Sequence, residues 1–295
     1  MKGIVIKIGI YLFVLIVPFS NVIAQFEDSV SSVITKAVDY AGGADTWKNN
    51  SVLKVHEFQK RYEDGGVVIV DVTHTMNTNG NGYRMELSRQ GKDLIYGWDG
   101  MEFWAMIDGH PGTDDDISEA RRQISNAYFR FSLPFVLQGE IDEITYEGTD
   151  KLYGANTQVV KITYENGLAE IYFQADTGGH DDHSDSDVSG HSSENNHESG
   201  SEHQVQVEHG GRHHHGGEEY FFHFAENGEL KKVYFSHHGD GSYETLLYKN
   251  NKMVNGIVRD HIRVLLNPDG NIHYESFFSE IGFINNVSAQ TYKRP

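Results

Sequence analysis

Val68-Ile69-Val70-Asp71-Val72-Thr73-His74-Thr75-Met76 decides the fold class. Val68, Val70, Val72, His74 and Met76 recur with period two, so one face of an extended segment is apolar, while Asp71, Thr73 and Thr75 point the other way. Gly65-Gly66 before it and Asn77-Thr78-Asn79-Gly80-Asn81-Gly82 after it are turn signals. The stretch therefore reads as a half-buried strand between two antiparallel neighbours. Outward from it the pattern repeats at Tyr83–Ser88, Leu94–Trp98 and Glu102–Ile107, with Asp99-Gly100 turning the last pair.

Further strands are expected at Glu143–Tyr146, Thr157–Tyr164, Ala169–Phe173, Glu219–Phe224, Lys232–Ser236, Ser242–Tyr248, Gly256–Leu265 and Ile272–Phe278. The dipeptides Asn227-Gly228, Asp240-Gly241, Asn255-Gly256 and Asp269-Gly270 separate the later ones.

Two segments have helical period instead. Val30, Val33, Ile34, Ala37, Val38 and Ala41 form one apolar stripe, with Asp28 or Ser29 as cap and Gly42-Gly43 as stop. Ala44 to Asn49, with Trp47, adds a short helical turn. Asp114-Asp115-Asp116 suits a helix N-terminus; Ile117, Ala120, Ile124, Ala127 and Tyr128 then follow with helical spacing until Pro134. The expected class is α+β: a strongly curved antiparallel sheet, an unclosed β-barrel, with an N-terminal helix and a central helix over its concave face.

The start of the chain has a different character. Lys2 and Lys7 precede an apolar run from Ile8 to Phe19, and Val22-Ile23-Ala24 offers a cleavage site before Gln25. This is a signal-peptide pattern over residues 1–24, followed by a single domain over 25–295. The run is short for a membrane span, and no other apolar run is longer, so no stable span is expected after cleavage. The expected location is periplasmic or extracellular.

Composition removes several functions. Among 295 residues there is no Cys, which excludes disulfides, thiolate metal sites and thiol nucleophiles. The net charge of −19 argues against nucleic acid as a partner, since phosphates require Lys and Arg. No G-x-S-x-G, H-E-x-x-H or G-x-x-x-x-G-K-[ST] motif occurs, and the chain is read as a non-enzyme with no catalytic residues.

The tract from Gly178 to Gly217 interrupts the domain. It holds nine of the 17 His, with eight Asp and Glu between His180 and His215, and no aromatic residue. Such a composition cannot bury enough apolar surface to offset chain ordering, so disorder is expected. Imidazole is the usual nitrogen ligand of zinc, nickel and copper. His180, Asp181, Asp182 and His183 form one cluster, His213, His214 and His215 another, and His191, His197, His203 and His209 lie between. That spacing is irregular and does not fit a fixed structural zinc site. It fits a collector of divalent metal, Zn²⁺ or otherwise Ni²⁺ or Cu²⁺, none of it an obligatory cofactor. An acidic, solvating insertion is the plainer alternative, and proton sensing near pH ~6.5 is a third reading.

Trp98, Phe103, Trp104, Tyr128, Phe131, Leu133, Phe135 and Phe222 supply the aromatic and apolar bulk. Core packing explains them most simply. The functional reading is a concave pocket for a lipid or other hydrophobic molecule.

Several of these segments resemble the periplasmic lipoprotein-sorting proteins and their exported, uncharacterised relatives. They are Ala41-Gly42-Gly43, the hairpin from Trp98 to Trp104, Leu133-Pro134-Phe135, Gly154 to Ile162, Gly178 to His183 and Asn255 to His261. The resemblance spans about Phe26–Phe173 and Glu219–Phe283. It implies an unclosed barrel whose cavity holds acyl chains under helical lids. An envelope protein is a further expected partner. Two functions stay open: a hydrophobic-ligand carrier with a metal-binding loop, or a periplasmic metal buffer or delivery protein using the barrel as scaffold.

Overall fold

The computed structural model describes residues 30–63, 65–89, 91–139, 141, 143–164, 218–236, 242–285 and 287–295. The signal-peptide segment, the caps Asp28 and Ser29, the strand Ala169–Phe173, the His-rich tract, His237, His238 and the Asp240-Gly241 turn lie outside the described residues.

Helix α1 runs over residues 30–40 and α2 over Ala44–Asn49. Val33, Ile34, Ala37, Val38 and Ala41 are buried, as the apolar stripe requires. Gly42 follows with φ 114°; a Cβ there would lie 2.0 Å from the carbonyl oxygen of Gly256, so this close contact of two backbones needs glycine.

The strands are β1 (Val52–Glu63), β2 (Gly66–Asn77), β3 (Tyr83–Arg89), β4 (Lys92–Trp98), β5 (Phe103–Ile107) and β6 (His110–Pro111). After helix α3 (Asp114–Ser132) come β7 (Glu143–Leu152), β8 (Ala155–Tyr164), β9 (Glu218–Ala225), β10 (Leu230–Ser236) and β11 (Glu244–Lys249). The last are β12 (Lys252–Val254), β13 (Ile257–Arg259), β14 (Ile262–Leu266) and β15 (Ile272–Ile284).

Thirteen strands form one antiparallel sheet in the order β6-β5-β4-β3-β2-β1-β15-β14-β11-β10-β9-β8-β7, while β12 and β13 pair as a separate hairpin. Two meanders are thus joined where β1 meets β15, and among the described residues the sheet ends at β6 and β7. The chain passes from one edge to the other through α3. Its buried residues Ala120, Ile124, Tyr128, Phe129 and Phe131 face the sheet. Phe129 packs 5.2 Å from Tyr220 in one meander, and Phe131 packs 4.9 Å from His74 in the other. Full burial of Ile124 alone contributes roughly 1.5–3 kcal/mol.

The helix start follows its sequence. Thr113 accepts from the Asp116 amide at 3.3 Å while Asp116 accepts from the Thr113 amide at 2.8 Å, a capping box. Pro134 lies just past the end, as expected, and the 3₁₀ turn Phe135–Gln138 leads on to β7.

In β2 the alternation holds: Val70, Val72, His74 and Met76 are buried and Asp71 is exposed. One expected strand is divided. Gly256–Leu265 breaks into β13 and β14 because the Val258 amide donates to the Ala41 carbonyl at 2.9 Å, which draws the hairpin out of the main sheet and onto α1.

Candidate functional site

The inner face of β1 presents Leu53, Val55, Glu57, Gln59 and Arg61 in succession, so it changes from apolar to polar along one strand. Glu57 is 5% exposed. Its Oε2 lies 2.8 Å from Nε2 of His74, and its Oε1 accepts from Gln59 at 3.0 Å. Nδ1 of His74 lies 2.9 Å from the Tyr83 hydroxyl. Burial works to raise the Glu57 pKa, but hydrogen bonds from His74, Ser276 and Gln59 outweigh it and hold the carboxyl at about 2.

Arg263 enters from β14. Its Nε and Nη2 donate to Asp260 at 2.6 and 3.1 Å, a bidentate buried pair. The same guanidinium lies 4.7 Å from the Phe131 ring and 4.8 Å from that of Phe278. Arg130 donates to the Tyr274 hydroxyl at 2.6 Å. Burial opposes the Arg263 charge, yet Asp260 and Tyr248 hold the pKa above its ordinary range. Between α3 and the sheet these residues leave a cavity of about 70 Å³, lined also by Arg61, Arg89, Glu119 and Gln123. That is room for ordered water rather than an acyl chain.

The larger opening lies elsewhere. A groove of about 820 Å³ runs between α1, the 3₁₀ turn and edge strand β7. Val30, Ile34, Leu137, Ile141, Ile144 and Tyr146 give it apolar walls, and Ser31, Thr35, Gln138 and Thr145 stand among them. Its size is within the ~300–1,000 Å³ typical of small-molecule sites.

The aromatic candidates fall into three groups. Tyr128, Phe131 and Phe222 belong to the buried core beneath α3, with Leu133 and Phe135 at its exit. Phe135 stacks on Trp47 at 4.7 Å. Trp98 and Phe103, 4.7 Å apart, close the hairpin end of the same core. Trp104 points to the opposite face of β5: its ring crosses Gly97, where a Cβ would be 2.0 Å from the ring, and its Nε1 donates to the Tyr292 carbonyl at 2.9 Å. None of these eight residues lines the 820 Å³ groove.

All the proposed metal ligands, from His180 to His215, lie outside the described residues. Among the described residues no group of three or more His, Asp or Glu is arranged to hold a metal ion. His56 bridges Asp71 at 2.6 Å and Ser279 at 2.9 Å on the outer face. His223 is buried on that face against Thr157, and burial holds its imidazole down at about 4.

Sequence reasoning missed Glu57, Arg130, Asp260 and Arg263. The signal for Glu57 was its phase, two residues beyond Val55 on the same face. Arg263 likewise shares a face with Leu265.

The comparisons settle the fold. The structure superposes on a domain from Vibrio parahaemolyticus described as a putative outer membrane lipoprotein-sorting protein domain, with a TM-score of 0.50 at 8% identity. That match covers 90% of this chain and 96% of the other. A LolA-superfamily protein from Nitrosomonas europaea gives 0.51 at 9% identity, covering 90% and 97%. This is the lipoprotein-sorting fold. No protein-family model matches the sequence, and no curated protein matches it. The unclosed barrel of the lipoprotein-sorting fold is thus present here, with α3 across it. No helix among the described residues is long and apolar enough to cross a membrane.

Proposed function

We propose that this protein is an exported, non-enzymatic carrier of a hydrophobic or amphiphilic molecule, seated in the groove between α1 and β7, which hands its ligand to an envelope partner. The groove of about 820 Å³ carries this reading: it has apolar walls, lies along β7 at the end of the described sheet, and is large enough for part of an acyl chain. The filled concave face supports placing the ligand at this edge rather than under α3.

The test is binding of a fluorescent acyl probe to the mature chain. Ile144→Asp and Ile141→Asp place a charge in the groove wall and should weaken binding at least about tenfold, because a buried carboxylate is costly beside a hydrocarbon chain. Unchanged binding in both folded variants would remove the groove from the account.

The His-rich tract is the basis of a second element, an arm for Zn²⁺, Ni²⁺ or Cu²⁺. Tyr164 and Glu218, the described residues on either side of the segment that contains the tract, are register partners at the adjoining ends of β8 and β9. Glu143 of β7 pairs with Thr163 there, close to Ile144 in the groove. Deletion of residues 178–217 should therefore leave the barrel folded. Zn²⁺ titration against a chelator should show sub-micromolar binding that vanishes with the deletion. Binding only at high micromolar levels or weaker would reduce the tract to a solvating insertion.

A further inference from the structure

A second cavity, of about 40 Å³, lies between the C-terminal half of α1, Leu133-Pro134 and the hairpin that leads into β14. Arg259 reaches into it and is only 4% exposed. One Nη1–H donates to the Leu133 carbonyl at 3.3 Å. Nε and Nη2 have no hydrogen-bond partner. The Tyr248 hydroxyl, also buried and lining this cavity, has none either.

Orphaned donors of this kind are costly, and a buried guanidinium more so than a neutral group. No carboxylate is hydrogen-bonded to it among the described residues. Asp260 lines the cavity, but both of its oxygens are taken by Arg263. Arg130 adds a further positive charge to the lining. The rings of Trp47 and Phe135 lie 4.7 and 5.7 Å from the Arg259 guanidinium, and neither ring offers an acceptor to its buried Nε and Nη2. Burial pulls the Arg259 pKa down to about 9, and the charge of Asp260 offsets this only in part.

Nε and Nη2 form the side-on fork of a guanidinium, two parallel N–H groups spaced to match the two oxygens of a carboxylate. Tyr248, whose buried hydroxyl is a third donor without a partner, belongs to the same lining. We infer that the Arg259 cavity is a binding site for a carboxylate group, held by the Nε/Nη2 fork of Arg259 and the Tyr248 hydroxyl. The carboxylate has two chemical sources, a free short-chain acid or the head of a fatty acid. The cavity and the 820 Å³ groove both lie along α1, at residues 37–41 and 30–35. Helical rise separates those segments by about 10 Å. Only the fatty-acid source rests on the carrier reading above.

Saturation-transfer NMR on the mature protein, with acetate and separately with decanoate at constant ionic strength, tests the site. Both should give saturable transfer. Arg259→Met, which keeps the volume but removes the fork, should abolish the acetate signal. Tyr248→Phe, which deletes a single unpaired hydroxyl and preserves the fold, should weaken binding about tenfold. Decanoate binding much tighter than acetate, and weakened by Ile144→Asp, identifies the fatty-acid source. Equal affinity, with Ile144→Asp silent, identifies a free acid and leaves the site standing without the carrier. Absence of saturable transfer with either acid, or transfer unaffected in folded Arg259→Met and Tyr248→Phe, overturns the proposal.

Discussion

Nε2 of His74 lies 2.8 Å from Oε2 of Glu57, with both side chains buried where β1 and β2 run side by side beneath α3. The contact places an ionised carboxylate inside the barrel, beside the aromatic rings of Tyr83 and Phe131. Its carboxyl pKa, about 2 against an ordinary 4.5, links this pair to folding. A depressed carboxyl stabilises the fold above its unfolded pKa, and that contribution is lost as pH falls from 4.5 toward about 2. Glu57→Gln should cost about 3 kcal/mol at neutral pH and flatten the stability profile across this window. Urea unfolding at several pH values would show it; parallel acid profiles for the two proteins would refute it.

The Arg263–Asp260 pair makes a second prediction. Asp260→Asn leaves a buried guanidinium without its carboxylate and should destabilise by about 3–5 kcal/mol. Replacing both, as Arg263→Met with Asp260→Leu, should recover most of that loss, because neither charge then needs burial. A double variant as unstable as the single one would show that the pair acts through more than its charges.

Gly97 and Trp104 make a third. A Cβ at Gly97 would sit 2.0 Å from the Trp104 ring. Gly97→Ala should displace that ring, break its bond to the Tyr292 carbonyl and cost roughly 1–3 kcal/mol, with a change in tryptophan fluorescence. Unchanged emission and stability would contradict the packing described.

At the helix start, Thr113→Ala removes one half of the capping box and should lower stability by about 1 kcal/mol. Thr113→Ser should restore it, since the hydroxyl makes the bond. Thermal unfolding of the three proteins decides this.

The sequence carried the elements further than it carried the site. Period two in Val68 to Met76, the stripe on α1, the Asp99-Gly100 hairpin and the stop at Pro134 are local patterns, and each appears in place. The break between β13 and β14 was not legible, because its cause is a distant contact, the Val258 amide on the Ala41 carbonyl. The face chosen by Trp104 was equally hidden. Aromatic residues cluster at that hairpin, and only the pleat decides that Trp98 and Phe103 turn inward while Trp104 turns out. Glu57, Asp260 and Arg263 look like surface charges in a polar sequence. Glu57 pairs with His74 on the neighbouring strand and Asp260 with Arg263 three residues on, and their burial emerges only when the sheet and α3 close over them.

The carrier reading turns on whether the groove between α1 and β7 holds a ligand. The most direct measurement is mass spectrometry of the mature protein, purified from an envelope extract without detergent, before and after solvent extraction. The account predicts close to one amphiphile per folded chain, lost in the Ile144→Asp and Ile141→Asp variants. A wild-type protein that carries none, and that takes up no acyl probe after extraction, would contradict it.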